Sequence, residues 1–70
     1  MPATPTLSNC IRDLRAQRDS MNQQALSEQV GVTRQTIISI ESGRYAPSLL
    51  LAFKIAEALN VPIEKAFRYE

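Results

Sequence analysis

Arg34 and Gln35 are adjacent polar residues at the opening of a short helical pattern. An arginine can donate two hydrogen bonds to guanine O6 and N7, and a glutamine can pair with adenine N6 and N7. The chemistry on offer is recognition of a base edge, not the making or breaking of a bond. The pair sits in the polar run Thr33-Arg34-Gln35-Thr36, followed by Ile37 and Ile40. The two isoleucines give the segment an apolar back, and the polar opening is left facing outward. A helix presented in this way can enter the major groove of duplex DNA with its first turn nearest the groove floor.

Groupings that would support catalysis are missing. The chain has no histidine, which removes imidazole acid–base chemistry and imidazole metal ligands. The acidic residues, such as Asp13, Glu28 and Glu57, are scattered on outward faces of the expected helices. Two isolated glycines cannot form a phosphate-cradling loop or a dinucleotide fingerprint. Cys10 is the only cysteine, so no disulfide or zinc framework is available, and it reads as a small buried hydrophobe. No enzymatic activity, cofactor or metal is expected.

The chain of 70 residues makes one small domain. A domain of this size hides only ~60% of its unfolded surface, so a second copy of the chain is a plausible source of extra stability. No apolar run approaches the ~20 residues of a membrane span. The opening residues lack the basic and apolar regions of a signal peptide. With no disulfide scaffold, a cytoplasmic location is expected. Eight basic residues against seven acidic ones leave a net charge of +1, so any basic face must come from uneven distribution.

The elements that would position Arg34 and Gln35 follow from caps and apolar spacing. Residues 1–7 read as an extended arm, and residues 8–70 as a single domain. Ser8 or Asn9 can cap a first helix running to about Arg18, with Ile11 and Leu14 inward. Asp19 and Ser20 make a turn. Asn22 caps a second helix with Leu26 and Val30 at i, i+4, and Gly31 ends it by reversing the chain. Thr33 caps the third helix, whose buried side is Ile37 and Ile40, and Gly43 terminates it. Residues 43–47 form a loop. Ser48 caps a fourth helix through Leu59 with the inward stripe Leu49, Ala52, Phe53, Ala56 and Leu59. Asn60 closes it, and Pro62 suits the first turn of a short fifth helix ending near Phe67. The last residues could pair as a strand, but no internal strand is convincing. The expected fold is all-α, a compact bundle of five helices.

Three blocks in order then resemble a known family. They are Val30-Gly31-Val32-Thr33-Arg34-Gln35-Thr36-Ile37, then Ile40-Glu41-Ser42-Gly43-Arg44-Tyr45-Ala46-Pro47-Ser48-Leu49, then Ala52-Phe53-Lys54-Ile55-Ala56-Glu57-Ala58-Leu59. The chain resembles the phage-repressor type of helix-turn-helix domain, the Cro/cI or XRE-like family, over residues 11–67. The resemblance implies a motif over residues 23–42 and a recognition helix over about residues 33–41. It implies base reading by Arg34, Gln35, Ile38 and Ser39. Backbone contacts are implied for Gln23, Thr33, Thr36, Ser42 and Arg44, with Thr36 placed for a phosphate or a base. Ile38 departs from the polar residue common there; it either meets a thymine methyl or packs on a neighbouring helix. Tyr45 either lies on a sugar-phosphate or covers its loop. Arg15 and Glu41 match a pair that commonly bridges the first helix and the end of the third. Arg12 and Arg18 are either solvated or near the DNA backbone. Ser27 stands where alanine is usual, the turn from Asp19 to Asn22 is one residue longer than the commonest form, and Leu50 and Leu51 replace polar residues.

The run Leu49-Leu50-Leu51 cannot all face one stripe of a helix. Leu51 and Ile55, joined by Ile63 and Phe67, could supply a two-fold contact with a twin subunit. The alternative is that the fifth helix covers this flank within one chain. The first arrangement predicts a homodimer on an inverted repeat of double-stranded DNA, its reading helices ~34 Å apart. The leading function is therefore a transcriptional regulator, most simply a repressor that occupies its operator. A different reading is an antitoxin-type interaction module with a toxin partner and secondary DNA binding.

Overall fold

The apolar spacing on either side of Gly31 becomes a pair of helices, and everything else in the chain packs around that pair. The computed structural model describes residues 7–19 and 21–69. Among them the order is β1 (Leu7–Asn9), α1 (Ile11–Ala16), α2 (Gln23–Val30), α3 (Arg34–Glu41), α4 (Leu49–Ala58), α5 (Ile63–Ala66) and β2 (Phe67–Tyr69). The expected arm over residues 1–6, and the part of Ser20 in the turn, lie outside the described residues.

Three helix starts are built as their sequences predict. The Asn22 side chain accepts the Ala25 N–H at 2.7 Å, Thr33 accepts that of Thr36 at 3.2 Å, and Ser48 that of Leu51 at 3.2 Å. Each supplies an acceptor for a donor that has no partner inside the helix. Gly31 closes α2 at φ 78°, a left-handed conformation that costs a side-chain-bearing residue strain. The first helix is shorter than expected. It stops at Ala16, where Gln17 and Arg18 donate to carbonyls three residues back and Asp19 turns left-handed at φ 51°. Its cap also differs from expectation, because Asn9 lies in β1 and reaches forward to accept the Ile11 N–H at 3.2 Å.

The molecule is not strictly all-α. β1 and β2 pair antiparallel, with Leu7 opposite Tyr69, Ser8 opposite Arg68 and Asn9 opposite Phe67. Leu7 is thus a paired strand residue and not part of a free arm. Strands of three residues are too short to show alternation, and their pairing joins distant parts of the chain. Phe67 belongs to β2, with extended backbone at φ −129° and ψ 145°, so α5 ends one residue before it.

The core is assembled from Ile11, Leu26, Ile37, Ile40, Ile55 and Leu59, all fully buried. Ser27 is buried with them, its hydroxyl donating to the Gln24 carbonyl at 2.7 Å, so the polar atom is satisfied. The α4 stripe needs correction. Leu49 is 70% exposed and Phe53 52%, while Ile55 is at 0%. Residues 52, 55, 56 and 59 follow the i, i+3, i+4, i+7 series in full, and this pattern turns Leu49 and Phe53 to the side. The proposed twin contact is corrected by the same fact. Ile55 and Phe67 belong to the core, and Leu51 and Ile63 are half-buried against it. That flank is covered within one chain.

Candidate nucleic-acid interface

Arg34 and Gln35 are both exposed in the first turn of α3, with Ile37 and Ile40 buried behind them. The third helix therefore has the brace that its sequence implied. Thr33 and Thr36 are joined at their hydroxyls, 3.0 Å apart, so the cap and the first turn hold each other. An open groove of about 260 Å³ runs past Thr33, Gln35, Thr36, Ser39 and Tyr45. Ile38 and Ser39 are half-buried on the same helix. The Ser39 carbonyl accepts from the Ser42 hydroxyl at 3.1 Å and from the backbone N–H groups of Arg44 and Tyr45 at 3.0 and 3.3 Å. This one oxygen fixes the loop that carries Arg44, whose side chain is exposed.

A second cleft, of about 460 Å³, opens where α1, α2 and α3 meet. It is lined by Arg12, Arg15, Asn22, Gln23, Gln24, Arg34 and Glu41. The lone carboxylate there is already engaged. Arg15 Nε donates to Glu41 Oε2 at 2.7 Å and Nη2 to Oε1 at 3.1 Å, a bidentate pair with side chains 13% and 8% exposed. Arg15 Nη1 also donates to the Met21 carbonyl at 2.9 Å. Arg12 and Arg34 thus leave the cleft positive, at the end of α2 where backbone N–H groups are free. The cleft at the other end of α2 is balanced, with Arg18 and Lys54 facing Glu28 and Glu57. Uneven distribution supplies the basic face that a net charge of +1 did not.

Two ties were not foreseen. Asn9 Nδ2 donates to the Ile40 carbonyl at 2.9 Å, across 31 residues of sequence. The Gln23 amide donates to Glu41 Oε1 at 3.1 Å, which joins a residue expected to grip phosphate to the ion pair. Asparagine at position 9 signalled a turn or a cap, and nothing in its neighbours pointed to α3. Cys10 is free and only half-buried, not fully buried as its apolar neighbours implied. No helix among the described residues is long and apolar enough to cross a membrane, and no cluster of potential metal ligands occurs among them.

Comparison with known proteins places these features in a group. A helix-turn-helix family model matches residues 11–65. The chain is 48% identical over 64 residues to the uncharacterized HTH-type transcriptional regulator YgzD of Bacillus subtilis, covering 91% of this chain and 96% of YgzD. It is 39% identical over 56 residues to the cryptic phage CTXphi transcriptional repressor RstR of Vibrio cholerae, covering 80% of this chain and 50% of RstR. Among solved structures, a Bacteroides fragilis protein provisionally described as DNA-binding superposes with a TM-score of 0.79 at 30% identity, over 90% of this chain and all of that one. The restriction-modification controller protein C.AhdI of Aeromonas hydrophila superposes with a TM-score of 0.72 at 27% identity, over 79% of this chain and 82% of its own.

Proposed function

Because this chain belongs to the helix-turn-helix family of Cro/cI (XRE) type, a family of DNA-binding transcriptional regulators and not of enzymes, we propose that it is a cytoplasmic repressor that binds an inverted-repeat operator as a homodimer. The observation that carries this reading is the exposed pair Arg34 and Gln35 on a helix whose back is buried. Arg34 reads guanine and Gln35 adenine, each bidentate contact being worth about 1–3 kcal/mol of discrimination. Ile38 and Ser39 read farther along the groove. Gln23, Thr33, Thr36, Ser42 and Arg44 hold the phosphates and fix the register. Repression follows from occupancy, and the likeness to RstR, a transcriptional repressor, favours that role.

The twin subunit docks on the outer face of α4, where Leu49, Leu50 and Phe53 are 52–70% exposed. A single domain with one reading helix grips few phosphates, and pairing multiplies its affinity. Selection of bound duplexes from a random pool tests the whole reading. The expected product is a pair of half-sites in inverted orientation, bound by two chains. Loss of selectivity in Arg34→Ala and Gln35→Ala supports the assignment. Recovery of no preferred duplex by the unaltered chain refutes it.

A further inference from the structure

We infer that Glu41 is a positioning residue for the phosphate grip: its carboxylate aims the Gln23 amide at the cleft where α1, α2 and α3 meet. This rests on the DNA-binding reading above and goes beyond it, because Glu41 itself touches no DNA. The Glu41 carboxylate spends Oε2 on Arg15 Nε at 2.7 Å and shares Oε1 between Arg15 Nη2 and Gln23 Nε2, each at 3.1 Å. Arg15 is held in turn by the Met21 carbonyl at 2.9 Å, just before the Asn22 cap. Two elements thus converge on the carboxylate at the end of α3: α1 through Arg15 and the first residue of α2, Gln23.

The consequence lies in the planar amide of Gln23. One of its N–H groups is committed to Glu41, so the direction of the other is fixed by the geometry of the amide. Asn22 takes the Ala25 N–H, which leaves the backbone N–H groups of Gln23 and Gln24 for an acceptor in the same cleft. A glutamine free in solvent loses considerable rotamer freedom when it grips a ligand, and one already held loses little. Arg15 neutralises the carboxylate, so the ordering does not cost the cleft its attraction for an anion. The reading helix ends at Glu41, so the carboxylate also ties the far end of α3 to the start of α2.

A double-variant cycle decides the matter, using the duplex that the full chain selects as probe. Glu41→Gln leaves a single oxygen, which the Arg15 guanidinium claims, and it turns an N–H toward Gln23. The expected loss of duplex affinity is about three- to tenfold, the range of one hydrogen bond. In a Gln23→Met background the same change should cause no loss. An equal loss in both backgrounds would mean that Glu41 only braces the fold, and the inference fails. A second readout needs no DNA: nitrogen relaxation should show a rigid Gln23 side-chain amide that becomes mobile in Glu41→Gln. A Gln23 amide as mobile in the unaltered chain as that of an exposed glutamine overturns the inference. Should Glu41→Gln not fold, Glu41→Asp keeps the charge on Arg15 while withdrawing from Gln23, and the same loss is expected. If no duplex is selected at all, the DNA reading fails, and the amide signals still report on Glu41.

Discussion

At the scale of single residues, the proposed roles divide into readers and grips, and the two should respond differently to substitution. Gln35→Ala should relax preference at one base position and cost about 1–3 kcal/mol on the selected duplex, with little effect on unrelated ones. Arg44→Ala should instead weaken binding to every duplex alike and lower the slope of log affinity against log salt by about one unit. Binding measured on matched and scrambled duplexes at several salt concentrations separates the two. Arg44 is suited to the second role because its loop is anchored to the Ser39 carbonyl while its guanidinium remains exposed. Gln23 is more complicated than its position in the motif implies. Its amide is engaged with Glu41 in the unbound chain, so the phosphate grip proposed for it would depend on a residue in another helix.

At the scale of elements, the orientation of α3 is set by its two ends. Its start depends on Thr33, and Thr33→Ala should lower stability by about 1 kcal/mol in thermal or denaturant unfolding. Its far end is held by Asn9 on one side and by Arg15 through Glu41 on the other. Asn9→Ala removes the Ile11 N–H's acceptor and one of two donors to the Ile40 carbonyl, which keeps the Gly43 N–H at 3.1 Å, and a loss of about 1–3 kcal/mol is expected. The turn before α3 makes a different demand. A Cβ at Gly31 would meet nothing within 4 Å, so Gly31→Ala should cost only the strain of φ 78°, about 1–2 kcal/mol. Gly31→Asn should cost less, since asparagine tolerates that region. Equal losses for alanine and asparagine would point to some other role for the glycine.

At the scale of the whole molecule, the question is which apolar residues hold one chain together and which remain for a second. Ile55→Ala should remove about 2–5 kcal/mol, enough to unfold a domain of this size, because Ile55 is fully enclosed. Leu49→Asp with Phe53→Asp should leave the unfolding of the single chain nearly unchanged, since both side chains are more than half exposed in it. If the twin docks on α4, that double variant should sediment as a monomer and bind a two-half-site duplex no better than a single half-site. A variant that remained a dimer would place the contact elsewhere. The β1–β2 pair also acts at this scale, tying the segment before α1 to the one after α5 and carrying Asn9 to the end of α3.

Much of this could be read from the chain alone, wherever the determining interaction is local. Asn22, Thr33 and Ser48 as caps, Gly31 as the hinge, and Ile37 and Ile40 as the brace all depend on neighbours within a turn of helix. So does the exposure of Arg34 and Gln35, because helical periodicity alone turns them away from the isoleucines. Tertiary structure decided what periodicity leaves ambiguous. A leucine-rich helix such as α4 offers several overlapping stripes, and only the surfaces of its neighbours select the one through Ala52 and Ile55. Three-residue strands carry no pattern, so the pairing of Leu7–Asn9 with Phe67–Tyr69 emerges only when the chain closes. The bonds of Asn9 to Ile40 and of Gln23 to Glu41 link residues far apart in sequence, and no local rule connects them.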